Sequence, residues 1–272
     1  MLKQRIITAV IMAIVVIGCI LQQDTIWTRV LFAAVLLAAS FELIRLTLRT
    51  TTVIALVGAG LFVAFYWWSG SLINGMLVYW QSLAGVALWI LIAIGLCFYR
   101  HHGNWPLLAR VLLLGVGLDL LWICVHGLVF LQATYGGEML LYLLSLVWVA
   151  DIGAYFSGRR FGRHKLAPAI SPGKTREGVV GGLVANLLWM LLVYQFSLGW
   201  GLALLPFLII GLATSLISVV GDLFESVLKR EAGVKDSGKL LPGHGGVLDR
   251  VDSVIAATPI FIGGFIIAAP QL

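Results

Sequence analysis

Leu202-Ala-Leu-Leu-Pro-Phe-Leu-Ile-Ile-Gly211-Leu-Ala-Thr-Ser-Leu-Ile-Ser-Val-Val-Gly221-Asp222-Leu-Phe-Glu225-Ser226-Val-Leu-Lys229-Arg230 is the stretch whose reading decides the fold. No side chain from Leu202 to Gly221 is charged, and the run then closes on two acids and two adjacent cations. A bilayer core takes about 20 apolar residues per crossing helix, and Lys and Arg collect where such helices leave the hydrocarbon on the cytoplasmic side. The stretch therefore reads as a membrane span with chemistry gathered at one end.

Apolar runs of the same kind recur near 5–22, 26–46, 52–69, 77–99, 108–132, 138–157, 178–198, 202–226 and 252–270. Of the 272 residues 61% are hydrophobic and only 11% charged, with a mean hydropathy of +1.03. Soluble domains carry about a quarter charged residues, so this composition excludes a disordered chain, a disulfide scaffold and an ordinary cytosolic globule. The expected fold is an all-α, polytopic membrane helical bundle of about nine transmembrane helices. Lys3 and Arg5 before the first run resemble a signal peptide, but no small-residue cleavage site follows and the segment reads as a retained anchor. Cys19, Cys97 and Cys124 lie inside apolar runs without the paired spacing of a zinc or redox site.

All the Lys and Arg residues except Arg29 fall on one side of these nine crossings. That side is expected to be cytoplasmic, with the N-terminus inside and the C-terminus on the opposite face of a bacterial-type inner membrane. The basic balance of +6 thus reports topology, and no nucleic-acid partner is expected. Residues 1–136 hold about five helices without a recognised motif. Residues 137–272 form the expected catalytic region, with cytoplasmic loops at 158–177 and 223–251 that are rich in Gly, Pro, Lys and Arg. There is no internal repeat.

If helical geometry continues past Gly221, Asp222, Glu225, Ser226 and Lys229 stand at i, i+3, i+4 and i+7 on one face. A snorkelling lysine with an i,i+4 ion pair to Glu225 is the plain alternative. The following loop contains Lys235-Asp236-Ser-Gly238 and Pro242-Gly243-His244-Gly245-Gly246, then re-enters the membrane through Asp249-Arg250-Val-Asp252. Glycines here free the backbone to approach a ligand and present N–H groups to anionic oxygens. Asp252 also reads as a helix N-cap. A cap explains Asp222 poorly, because a carboxylate at the membrane end of an apolar helix is costly. Asp222 and Asp249 stand at the cytoplasmic ends of adjacent spans, and hard oxygens among cations point to Mg²⁺ shared with a phosphate. His244 by itself is more often structural or a hydrogen-bond donor.

The run Ser226-Val-Leu-Lys229-Arg230, then Lys235-Asp236-Ser-Gly238-Lys-Leu-Leu-Pro242-Gly-His244-Gly245-Gly246-Val-Leu-Asp249-Arg250-Val-Asp252, resembles the motif of the phosphatidate cytidylyltransferases, or CDP-diacylglycerol synthases. The resemblance extends to Ala150-Asp151 through Gly162 and to Ser171-Pro-Gly-Lys174-Thr-Arg-Glu177-Gly178. It implies condensation of CTP with phosphatidic acid to CDP-diacylglycerol and pyrophosphate, dependent on Mg²⁺, with a monovalent cation such as K⁺ beside it. The family's paired metal-binding aspartates map onto Asp222 and Asp249. The expected partners are CTP, phosphatidic acid and the lipid bilayer, with a homodimer as a further expectation.

The expected roles follow from the chemistry. Lys229, Arg230, Lys235 and Arg250 would neutralise phosphate charge, with Arg suited to bidentate contact. Asp236 and Asp252 would orient those cations or metal waters. His244 is counted with the catalytic residues, and Ser226, Gly245 and Gly246 with the substrate-binding ones. Gly173-Lys174-Thr175 is no nucleotide P-loop, since that motif needs Gly where Pro168 stands and a strand upstream. Ser171, Lys174 and Glu177 would contact CTP or lipid phosphates, or else order the loop. Asp151 is a site candidate by the cost of an intramembrane carboxylate, while Asp119, near the middle of the fifth run, has no partner that the sequence names.

A secondary transporter with Asp119, Asp151 and Asp222 as an acidic relay is the principal rival. It calls for related halves and acids at mid-membrane depth, whereas most acids here cluster at one boundary. The Asp-Gly-x₂-Ala-Arg pattern of CDP-alcohol phosphatidyltransferases is absent.

Overall fold

Within hydrocarbon a backbone finds hydrogen-bond partners only in its own helix or in a closed barrel, and the apolar runs of this chain take the helical solution. The computed structural model describes residues 2–22, 24–72, 74–100, 103, 105–196, 199–241, 243 and 245–268. Among them lie nine α-helices: α1 Leu2–Ile20, α2 Ile26–Leu48, α3 Thr52–Ser69, α4 Gly75–Cys97, α5 Leu107–Tyr135, α6 Gly137–Phe161, α7 Arg176–Gln195, α8 Leu204–Ala232 and α9 Leu248–Ala268. Eight of these, α2 to α9, are long and apolar enough to cross a membrane; in α1 the apolar stretch is the shorter Val10–Ile20. The all-α membrane architecture expected from the sequence is the one observed.

Two helices outrun their apolar segments. α6 continues to Phe161 and α8 to Ala232, past the expected ends at 157 and 226. A hydropathy boundary marks where the chain leaves lipid, and the helix needs only its own hydrogen bonds to go on. What stops α8 is Gly233, at φ 72°. Its N–H donates to Arg230 O at 3.1 Å and the Val234 N–H to Lys229 O at 3.0 Å, the paired bonds of a Schellman cap with glycine in the left-handed region. The loop expected at 223–251 therefore shrinks at both ends, because α9 begins at Leu248.

The loop expected at 158–177 is also more ordered than its composition suggests. β1 (Lys165–Ala167) and β2 (Ser171–Thr175) pair antiparallel, with Lys165 opposite Thr175 and Ala167 opposite Ser171. The Ile170 N–H closes the turn onto Ala167 O at 3.1 Å. Pro172 is tolerated because a two-stranded ribbon has only edges.

The chain forms two units that interleave along the sequence. The first comprises Met1–Val78, His101–Leu141 and Glu225–Asp252. Its apolar centre joins α2 and α3 through Ile44, Ala55 and Ala59, with Phe41, Leu48 and Leu114 packed against them. The α5 side chain Gln132 donates to Ile20 O at 2.9 Å, satisfying the end of α1. The second unit comprises Tyr79–Arg100, Tyr142–Phe224 and Ser253–Leu272. Here α6 and α7 touch backbone to backbone: a Cβ on Gly182 would stand 2.7 Å from Ala150 O, and one on Gly153 2.7 Å from the Ala185 Cβ. Small residues permit such approach where lipid offers no hydrophobic drive for helix association. Asn186 then locks three helices, its Nδ2 donating to Leu146 O at 2.8 Å and to Ser215 Oγ at 2.7 Å. Tyr142 stacks on Phe207 at a centroid distance of 5.3 Å. Leu61, Leu91 and Leu188 stay more than 60% exposed, as side chains solvated by lipid can.

Candidate active site

The charged end of α8 and the start of α9 meet in the first unit. Helical periodicity puts Glu225 and Lys229 one turn apart, and Lys229 Nζ donates to Glu225 Oε2 at 2.5 Å and to Asp249 Oδ1 at 2.6 Å. The second oxygen of Asp249 accepts from the Ser237 N–H at 3.0 Å and the Gly246 N–H at 2.8 Å. Both Asp249 oxygens are thus held, one by a cation and one by two backbone dipoles. Glu225 is buried and Lys229 and Asp249 nearly so, with side chains 3%, 13% and 9% exposed. Water screens such a pair weakly, so its removal costs more than a surface bridge would. Asp252 adds further negative charge close to Glu225.

The loop between these helices is turned by glycine. The Leu241 N–H donates to Gly245 O at 3.0 Å, and Gly243 and Gly245 take φ values of 78° and 86°. Such values suit glycine, which has no Cβ to strain. A Cβ on Gly245 would also stand 2.9 Å from Asp249 Oδ2. His244, expected among the catalytic residues, lies outside the described residues.

A residue that sequence reasoning passed over completes this centre. Glu42 of α2 is 2% exposed, and its Oε2 accepts from Ser237 Oγ at 3.0 Å and from the Leu248 N–H at 2.9 Å. The cost of an intramembrane acid, the argument that singled out Asp151 and Asp222, applies equally to Phe41-Glu42-Leu43-Ile44 and was the signal available.

In the second unit a cavity of about 450 Å³ opens between α6, α7, β2 and α8. Ala154, Val179, Leu183 and Val219 give it apolar walls, and Asp151, Lys174 and Asp222 stand among its polar lining. Lys174 Nζ lies 2.7 Å from Asp222 Oδ2. Three of the expected residues are thereby brought into one pocket, of the volume usual for a small-molecule site.

The remaining candidates divide by position. Glu177 holds the hairpin: its Oε1 stands 2.6 Å from His164 Nδ1, and its carboxylate accepts from the Arg163 and His164 N–H groups at 3.1 and 3.2 Å. Ser171 is in register across the hairpin with Ala167. Ser226 is buried, whereas Arg230 and Arg250 are exposed. Lys235 and Asp236 line an open basic groove of about 920 Å³ with Arg45 and Arg49. Asp119 is exposed on α5. Among the described residues no group of three His, Cys, Asp or Glu side chains stands close enough to hold a metal ion by itself.

Comparison with known proteins agrees with the resemblance read from these residues. A family model described as the cytidylyltransferase family matches residues 3–266. The chain is 41% identical over 269 residues to a phosphatidate cytidylyltransferase of Pseudomonas aeruginosa, covering 96% of each protein. It is 55% identical over 130 residues to one of Haemophilus influenzae, spanning 47% of this chain and 45% of that relative. A Brucella suis protein of the same name is 46% identical over 142 residues, about half of each chain. The chain thus spans about half the length of the Haemophilus and Brucella proteins and nearly all of the Pseudomonas one. The chain belongs to the cytidylyltransferase family.

Proposed function

We propose that this protein is a phosphatidate cytidylyltransferase, joining CTP to phosphatidic acid to give CDP-diacylglycerol and pyrophosphate. The observation that carries the reading is the Asp249 centre: a carboxylate gripped at both oxygens, in the first turn of α9, within the stretch whose sequence resembles that family. The acidic-relay transporter finds no support in the family match.

In the proposed reaction a lipid phosphate oxygen attacks the α-phosphorus of CTP. A new P–O bond forms, the bond between the α-phosphorus and the β-phosphate oxygen breaks, and pyrophosphate leaves with that electron pair. A phosphate monoester with a second pKa near 6 is mostly dianionic at neutral pH, so the nucleophile needs no general base. What remains is alignment and the neutralisation of two polyanions.

The cavity lined by Asp151, Lys174 and Asp222 suits a lipid headgroup, with Lys174 toward phosphate and apolar walls toward the chains. Exposed Arg230, Lys235 and Arg250 suit the triphosphate. Each carboxylate by itself suits Mg²⁺: Asp222 in the second unit and Asp249 in the first each already face a cation, a lysine ammonium at 2.7 and 2.6 Å. Hard carboxylates in ones and twos, completed by phosphate and water, are what this ion takes. When bound, it supplies charge neutralisation at the phosphates of both substrates. We place the site on the cytoplasmic face of a bacterial inner membrane, a reading supported by the clustering of Lys and Arg on one side of the spans.

The test is direct. Purified protein in detergent, given labelled CTP, phosphatidic acid and Mg²⁺, should form a labelled liponucleotide and cease when the metal is chelated; K⁺ is varied in parallel. Absence of the liponucleotide under all these conditions refutes the assignment.

A further inference from the structure

Glu42 belongs to α2, in the half of the chain where no motif was read, yet its carboxylate lies among the backbone of the 237–248 loop. Burying an acid is costly unless it is well hydrogen-bonded, so its presence calls for a use. Oε2 takes both a hydroxyl and a backbone N–H, joining the two ends of the loop. Oε1 has no hydrogen-bond partner among the described residues and lies against Gly238, where a Cβ would overlap it. A Cβ on Gly246 would overlap Oε2. Two of the loop's glycines therefore leave room for this one side chain.

The bonding is layered. Asp249 Oδ2 takes the N–H of Ser237, and Glu42 takes the hydroxyl of the same residue. Leu248, whose N–H Glu42 accepts, immediately precedes Asp249. The Asp249 carboxylate, in the first turn of α9, is thus flanked by Ser237 and Leu248, both fastened to Glu42 of α2.

We propose that Glu42 is a positioning residue, which ties Ser237 to Leu248 and so holds the Asp249 carboxylate in place for a cation. The assignment rests on the reading of Asp249 given above. Glu42 touches no reacting atom and acts through Ser237 and Leu248. Partners that orient a liganding carboxylate typically change activity or metal affinity by about 10- to 100-fold when lost.

The experiment pairs two readouts on full-length protein in detergent: hydrogen exchange of segment 236–249, and turnover as a function of Mg²⁺ and CTP. Glu42→Ala should speed exchange in that segment while the rest of α2 and α9 stays protected. It should also raise the Mg²⁺ concentration for half-activation by roughly 10-fold. Glu42→Gln, which keeps an acceptor oxygen and the volume, should recover most of both. Ser237→Ala removes one bond without touching the buried acid and should give an intermediate effect, which keeps the proposal testable if Glu42→Ala does not fold. Unchanged exchange of the segment in Glu42→Ala and Ser237→Ala overturns the proposal, as does a loss of Tm with unaltered Mg²⁺ dependence. If the wild type lacks cytidylyl transfer, the function assigned above fails, and the exchange data still decide whether Glu42 fixes the loop.

Discussion

Lys229 Nζ lies 2.5 Å from Glu225 and 2.6 Å from Asp249, so one ammonium joins two carboxylates carried by consecutive helices. The lysine does more than offset charge. It fixes the direction of Asp249 Oδ1 while Ser237 and Gly246 fix Oδ2, leaving the carboxylate no free rotation.

Removal of the charge at Asp249 is the first consequence to measure. Asp249→Asn keeps the shape but replaces one acceptor oxygen by a donor NH2, so it cannot accept both from Lys229 and from the Ser237 and Gly246 N–H groups, and its hold on any cation weakens. Turnover should fall by roughly 100-fold or more, the upper end of what loss of even an outlying metal contact produces, with membrane insertion unchanged. Near-normal turnover at saturating Mg²⁺ removes Asp249 from the metal's ligands.

Lys229→Met tests the bridge. It leaves Glu225 and Asp249 facing one another without their cation, and breaking a buried ion pair on one side costs about 3 kcal/mol or more. Thermal unfolding in detergent should show a lowered Tm. Adding Glu225→Gln should return part of that stability, whereas an additive double variant would mean that the two side chains act independently.

Lys174→Ala bears on the cavity. Charge-assisted hydrogen bonds contribute about 1.5–3 kcal/mol, so KM for phosphatidic acid should rise by about 10-fold or more. A change confined to CTP would assign Lys174 to the nucleotide.

The pH profile tests the absence of a general base. If the lipid phosphate dianion is the nucleophile, kcat/KM should fall tenfold per unit as pH drops below the substrate's second pKa, near 6. The same midpoint should appear in Asp249→Asn. A midpoint that moves with a protein variant would place a base in the enzyme.

Much of this site is legible in the sequence. Spacing alone puts Glu225 and Lys229 on one helical face, and the cost of a carboxylate beside hydrocarbon singles out Asp151 and Asp222, which line one cavity with Lys174, itself 2.7 Å from Asp222. Glu177 shows where spacing stops: the sequence leaves open whether it contacts phosphate or orders the loop, and the structure has it closing the hairpin onto His164 and Arg163, a contact created by a turn that composition does not encode. For Lys229 the sequence offers a phosphate-neutralising cation or an i,i+4 ion pair to Glu225; the pair forms, and a second acid, Asp249, joins it from beyond the loop. Glu42 was missed because its partners lie some two hundred residues away in sequence, although the burial of an acid in Phe41-Glu42-Leu43 was itself a signal.

The most direct measurement follows the two ends of the nucleotide. With CTP labelled at the α-phosphorus, the lipid product should carry the label, and with CTP labelled at the γ-phosphorus the label should leave as pyrophosphate in equal amount. Transfer of the γ label to the lipid, or consumption of CTP without a labelled lipid, would contradict attack by phosphatidate at the α-phosphorus.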